Sequence, residues 1–237
     1  MFKDKPIFSN QHGALVMAFV PFIYGIFESR FVLPHIWLGL AWLFLYFFSY
    51  PFLSLFNKKQ RDKYRKWAII YGLISAVFTL PLLLYKFAVL QFMLPILPLV
   101  LIQIHYAKQK DERNLINDIA GILTFGVIGM ASFYLATSQY RFSILIDPTL
   151  FFIATTLYVK SVARERKNPL YLKLSIGSHL ILGLIYGLLG QYSIMSAYFV
   201  GLIRAIVVPK KQLNIKQVGM IEFAVVAILL LGLFFNK

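Results

Sequence analysis

Nine apolar runs, most of them near the length that crosses a hydrocarbon core, divide this chain, with only short polar segments between them. An α-helix rises 1.5 Å per residue, so about 20 apolar residues span a bilayer core. Inside that core each segment must satisfy its own backbone N–H and C=O groups, and for single runs of this length the helix is the structure that does so. The runs cover residues 12–28, 35–56, 67–84, 87–105, 118–137, 147–160, 174–190, 192–208 and 217–235. The expected fold class is therefore all-α: a polytopic transmembrane helical bundle of about nine spans, forming a single integral membrane domain over residues 1–237. Composition agrees, since 59% of the 237 residues are hydrophobic and 14% charged. Soluble domains average about 45–50% and about 25%.

The cations sort by alternate loops. One face receives Lys3 and Lys5; Lys58, Lys59, Arg61, Lys63, Arg65 and Lys66; Lys108, Lys110 and Arg113; Lys160, Arg164, Arg166, Lys167 and Lys173; and Arg204, Lys210, Lys211 and Lys216. The other receives Arg30, Lys86, Arg141 and Lys237, four of the 24 Lys and Arg residues. By the positive-inside rule the N-terminus is cytoplasmic and the C-terminus outside. Merging the third and fourth runs, or the seventh and eighth, would put basic loops on both faces, so the charges also support the number of spans. The net charge of +15 is then a topology signal, and nucleic acid is not an expected partner. Membrane lipids are. The first run follows Lys3 and Lys5 as a signal peptide would, but it ends in Gly25-Ile26-Phe27-Glu28 without a small-x-small cleavage site, so it reads as a retained helix. With no cysteine, disulfides and thiolate chemistry are excluded.

Local signals refine the spans. Pro95 and Pro98 should kink the fourth. Asp147-Pro148 should cap and open the sixth. His35 and Trp37, at the outer end of the second, read as interfacial depth anchors. Gly121, Gly126, Gly183, Gly187 and Gly190 should let helices approach closely.

Polar residues at or inside the spans are the candidate site. Gln11 and His12 stand where the first helix enters the membrane, either as a cap region or facing a polar cavity. Arg113 precedes Asn114, Asn117 and Asp118, which fall at i, i+3 and i+4 and make one polar stripe on the first turns of the fifth helix, with Asn114 placed to cap. Arg164 and Arg166 bracket Glu165; such an array can hold a phosphate, contact lipid headgroups or simply set topology. His179 shares a face with Ser175, and either bonds a neighbouring helix or lines a cavity. Arg204 and Glu222 lie at similar depth on either side of one loop, as an interhelical ion pair would. The outer half of the molecule is nearly free of polar groups, which argues against a two-sided permeation path. No spacing matches a metal site, and no cofactor is expected.

Gln11-His12-Gly13-Ala14 at the first helix, Asn117-Asp118 at the fifth and Arg164-Glu165-Arg166 after the sixth resemble, in order and spacing, the YwiC-like family of bacterial membrane proteins. That likeness covers essentially the whole chain and implies the bacterial plasma membrane. More distantly, nine helices with polar loops after the second, fourth and sixth are similar to the UbiA-type intramembrane prenyltransferases. Those enzymes use acidic motifs and magnesium to hold a prenyl diphosphate. Here the first motif falls on Tyr50, Leu53 and Asn57, and the second on Tyr158, Ser161 and Glu165. One carboxylate cannot assemble the metal site, so magnesium-dependent prenyl transfer is not expected and no catalytic residue is assigned. The leading expectation is a cytoplasm-facing cavity for an isoprenoid or other lipid with an anionic head. A transporter or channel, and a non-catalytic subunit of a membrane complex, are the alternatives.

Overall fold

The computed structural model describes residues 5–9, 12–56, 61–211 and 213–235. Among them are nine α-helices and no strand: α1 (His12–Glu28), α2 (Pro34–Ser54), α3 (Arg61–Tyr85), α4 (Met93–Lys108), α5 (Leu115–Thr137), α6 (Ser143–Val159), α7 (Pro169–Leu188), α8 (Tyr192–Val207) and α9 (Ile215–Phe234). Eight helical segments are long and apolar enough to cross a membrane. The ninth, α1, has 17 residues, about 25 Å of rise. The expected polytopic helical bundle is therefore what the chain forms.

Several helices begin before their apolar runs, and local chemistry explains why. Asn168 accepts a hydrogen bond from Leu170 N with Pro169 at the first helical position, so α7 starts ahead of Leu174. Asn114 does the same for Ile116 N and opens α5. Ile144 N and Leu145 N bond to the Arg141 and Phe142 carbonyls, which starts α6 at Ser143. Asp147 is consequently inside the helix and is not its cap. A 3₁₀ segment, Phe87–Phe92, precedes α4. Pro95 then occupies the first turn of α4, where an amide has no intrahelical acceptor and its loss costs little.

The chain packs as two compact units, Met1–Leu145 and Ile146–Lys237. In the first, α2 packs on α3, and α5 packs on both α1 and α4. The tightest crossing is α1 on α5. A Cβ on Gly129 would lie 2.6 Å from Pro21 Cβ and 2.7 Å from its carbonyl oxygen, and one on Gly25 would strike Ser132 Oγ. Ser132 Oγ of α5 donates to Phe22 O of α1 at 2.9 Å across this contact, and Trp42 Nε1 of α2 donates to Ala18 O of α1 at 2.9 Å. His35, 1% exposed, is no depth anchor. Val32 N donates to its Nδ1 at 3.0 Å, which fixes the tautomer, and its Nε2–H donates to Ser132 O at 2.8 Å.

Two cations on the sparsely basic face, Lys86 and Arg141, have structural duties. Lys86 Nζ donates to Tyr134 O (2.9 Å), Leu135 O (3.2 Å) and Ser138 Oγ (2.7 Å), placing its charge on the carbonyl end of α5. Arg141 pairs with Glu28.

In the second unit α7 packs on α8 and α8 on α9. The α7–α8 connection is a two-bond helix stop. Gly190 adopts φ +74°, its N–H reaches Gly187 O at 3.0 Å, and Gln191 N reaches Tyr186 O at 2.8 Å. Gly183 and Gly187 lie against Tyr198 and Met195 of α8, as close approach requires, whereas a Cβ on Gly121 would meet nothing within 4 Å. A capping box of Asn214 and Gln217 opens α9.

Gly129→Ala should destabilise the first unit by about 1–3 kcal/mol, because the added methyl meets the backbone at Pro21, which cannot rotate away. Gly121→Ala should be neutral or stabilising by up to about 1 kcal/mol. Unfolding of the purified protein by SDS titration measures both.

Candidate functional site

The first unit gathers its candidates at the α4–α5 turn. Lys110 stops α4 in the left-handed conformation (φ 60°), and Asp111 N bonds to Tyr106 O at 3.0 Å. Asn114, besides capping α5, donates to Asp111 Oδ2 at 2.8 Å, and Asn117 Nδ2 donates to Glu112 O at 2.7 Å. Two of the three stripe residues thus close the turn. Asn117 Oδ1 is buried without a hydrogen-bond partner among the described residues. Asp118 is half-buried in the first turn of α5, where the helix dipole favours its charge. Arg113 is exposed beside them. His12 is the first residue of α1, and Gln11 lies outside the described residues.

The second unit holds a buried polar cluster to which each of its four helices contributes one residue: Tyr158 of α6, His179 of α7, Arg204 of α8 and Glu222 of α9. His179 is fully buried and Arg204 is 4% exposed. Arg204 Nη1 donates to Glu222 Oε2, forming the ion pair that the matched depths suggested. Its Nη2 donates to His179 Nε2 at 3.1 Å. That bond requires an unprotonated Nε2, and Nδ1–H of the same ring donates to Ser175 O at 2.7 Å. His179 is therefore the neutral Nδ1–H tautomer. The Arg204 guanidinium carbon sits 4.1 Å from the Tyr158 ring centroid, a cation–π contact. Gly201 makes the room, since a Cβ there would strike the His179 imidazole. Of the two roles open to His179, the structure gives it the bond to a neighbouring helix.

A second buried contact lies toward the other end of this unit. Asp147, 6% exposed, accepts the Tyr186 hydroxyl at 2.7 Å, and the Tyr186 ring stacks on Tyr198 with centroids 5.3 Å apart. The outer half of the second unit therefore does carry a buried carboxylate, contrary to the expectation from the sequence. Its signal was hidden because Asp147-Pro148 reads as a helix cap.

The run after α6 is neither a loop nor a plain helix end. Lys160–Arg164 forms a π turn, with Glu165 N bonding to Lys160 O at 2.6 Å. Lys160, expected in a solvated loop, is 3% exposed with Nζ 5.9 Å from the Tyr171 ring centroid. Arg164, Glu165 and Arg166 are exposed. Arg166 Nε donates to Val162 O, and its Nη2 donates to Leu213 O at 3.3 Å, tying the π turn to the α8–α9 connection. Beside it opens a cavity of about 450 Å³, lined by Ser161, Val162, Arg166, Lys167, Asn168, Pro169, Leu172, Val208, Pro209, Leu213 and Val218. His179 is not among these residues, and neither is Arg164 or Glu165. Lys167 and Asn168 are functional candidates that the sequence reading passed over. Their one sequence signal was the Asn168-Pro169 helix start.

The donors do not fit a magnesium–diphosphate site. Tyr50 and Tyr158, the positions at which the expected resemblance would need carboxylates, carry phenols, and Tyr158 lies against Arg204. Among the described residues no three His, Asp or Glu side chains form a metal-holding group.

The family model described as YwiC-like protein matches residues 8–133. A protein of Haemophilus influenzae described as uncharacterised is 48% identical, over 94% of this chain and 95% of its own length. The Bacillus subtilis protein YwiC, also described as uncharacterised, is 36% identical over 92% of each chain. No solved structure matches the chain. The chain belongs to the YwiC-like family.

Glu222→Gln should cost about 3–5 kcal/mol, because it leaves the Arg204 guanidinium buried without its counter-charge. The double variant Arg204→Met/Glu222→Leu should cost less than Glu222→Gln alone, since both charges leave together. SDS titration of the wild type and the two variants tests this; a double variant destabilised as much as Glu222→Gln or more would show that the two side chains are not coupled.

Proposed function

We propose that this member of the YwiC-like family binds the anionic head of a lipid in the cavity beside the π turn of its second unit. The observation that carries the reading is the lining. Arg166, Lys167, Asn168 and Ser161 offer donors, Leu172, Val208, Leu213 and Val218 offer hydrocarbon, and none of the lining residues among those described is acidic. A phosphate monoester or diphosphate on a hydrocarbon tail matches both sets. The N-terminus of α7, at Asn168 and Pro169, adds the positive end of a helix dipole. The π turn contributes too. Its altered ladder leaves Val162 O to be capped by Arg166, and an arriving phosphate can take Arg166 over from the two carbonyls it now serves. The positive-inside assignment puts this end of the second unit on the cytoplasmic face of the membrane.

Binding is the whole of the proposed activity. The residues present hold and orient an anion, and no nucleophile, acid–base pair or metal site is assigned to a reaction.

Native mass spectrometry of the protein released from nanodiscs tests the reading. Phosphatidylglycerol and an isoprenyl phosphate, supplied in separate arms, should each be compared with phosphatidylcholine. Retention of an anionic species over phosphatidylcholine is expected, and the arm with the stronger retention identifies the tail class. Lys167→Ala should weaken retention about tenfold or more, the size of one charge-assisted hydrogen bond of about 1.5–3 kcal/mol. Equal retention of phosphatidylcholine, unchanged by Lys167→Ala, would overturn it.

A further inference from the structure

The Arg204–Glu222 pair engages one nitrogen and one oxygen. Arg204 Nε and Glu222 Oε1 are left without a hydrogen-bond partner among the described residues, and the Tyr158 hydroxyl is left in the same way. Arg204 is 4% exposed and Tyr158 is fully buried. These orphans belong to one cluster, because the guanidinium lies on the Tyr158 ring and holds the Glu222 carboxylate. Together they present one N–H donor, one carboxylate acceptor and one hydroxyl that does both.

That set selects its occupant. An apolar group would leave all three unpaired. A cation would face Arg204, and an anion would face Glu222. Water, with two hydrogens and two lone pairs, satisfies donor, acceptor and hydroxyl alike, and buried water is ordinarily held by about three such bonds. We infer that the Tyr158–Arg204–Glu222 cluster is a water-binding site inside the second unit, supplied from the cavity beside the π turn.

The supply route follows from helical spacing. Val162, Val208 and Val218 line the cavity. Each is four residues, one helical turn, from a cluster member: Tyr158, Arg204 and Glu222 respectively. Tyr158, Val162, Val208 and Val218 pack in one apolar cluster, so a single layer of valines stands between the cavity and the three orphaned atoms. The consequence is that the buried carboxylate and guanidinium exchange water with one face of the membrane. The inference shares the cavity with the lipid reading but does not depend on its ligand.

Radiolytic hydroxyl-radical footprinting read by mass spectrometry tests it on the full-length wild-type protein in phosphatidylcholine nanodiscs. Radicals generated from bound water label the side chains that touch it. Tyr158 should be oxidised about tenfold or more faster than Phe152, an equally buried ring in the same helix. Val218→Trp, or Leu172→Trp at a second lining position, should slow Tyr158 labelling by narrowing the route. Protection of Tyr158 equal to that of Phe152 would overturn the water site. Labelling that neither tryptophan changes would overturn the route. Because no anionic lipid is present, loss of lipid retention with Tyr158 still labelled would count against the lipid reading alone.

Discussion

A guanidinium buried within a membrane bundle needs a counter-charge and hydrogen-bond acceptors on neighbouring helices, or its helix cannot stay where it is. Arg204 meets that requirement by drawing on all three of the other helices in its unit. Glu222 supplies the charge, His179 the imidazole lone pair and Tyr158 the ring face. Each partner is constrained in turn. His179 must be neutral with its proton on Nδ1, which Ser175 O enforces, and residue 201 must be glycine to leave room for the ring. The positions of four helices thus depend on one side chain, and the cavity walls at Val162, Val208 and Val218 are placed one turn away by the same constraint.

Among its described residues the first unit is held together without a buried ion pair. Its central crossing depends on closeness, with Gly25 and Gly129 bringing two backbones together at Pro21. A neutral hydrogen bond from Ser132 secures the contact, and those of Trp42 and His35 tie α2 to α1 and α5. Such bonds carry no net charge into the hydrocarbon, so they avoid the desolvation of an ion. The second unit, by contrast, gathers its buried charge and the orphaned atoms of Tyr158, Arg204 and Glu222 in one cluster.

Charge asymmetry between the faces has a structural counterpart. Cations on the sparsely basic face are engaged, Lys86 on the carbonyls that end α5 and Arg141 on Glu28. On the basic face, Arg166 has exchangeable carbonyl partners and Lys167 stands at a cavity rim. The two faces therefore differ in how their cations are engaged, and not only in the number of their charges.

Hydrophobic length, loop charge and helix-start chemistry are properties of contiguous residues. The sequence alone therefore determined the nine helices, the cap at Asn114 and the pairing of Arg204 with Glu222 at matched depth. Span starts slipped by up to about two turns where capping residues or good helix formers extended a helix beyond its apolar run, as at Pro169 and Arg61. Only the tertiary structure decided which face of each helix turns inward. That choice made His35 a buried link and not an interfacial anchor, placed Asp147 against Tyr186, sent His179 to Arg204 and not to the cavity, and brought Lys167 and Asn168 to its rim. Hydropathy along a span is blind to this, because in lipid an apolar residue is equally at home on either face of its helix. Which polar atoms meet, and which are left over, is settled only when the helices pack.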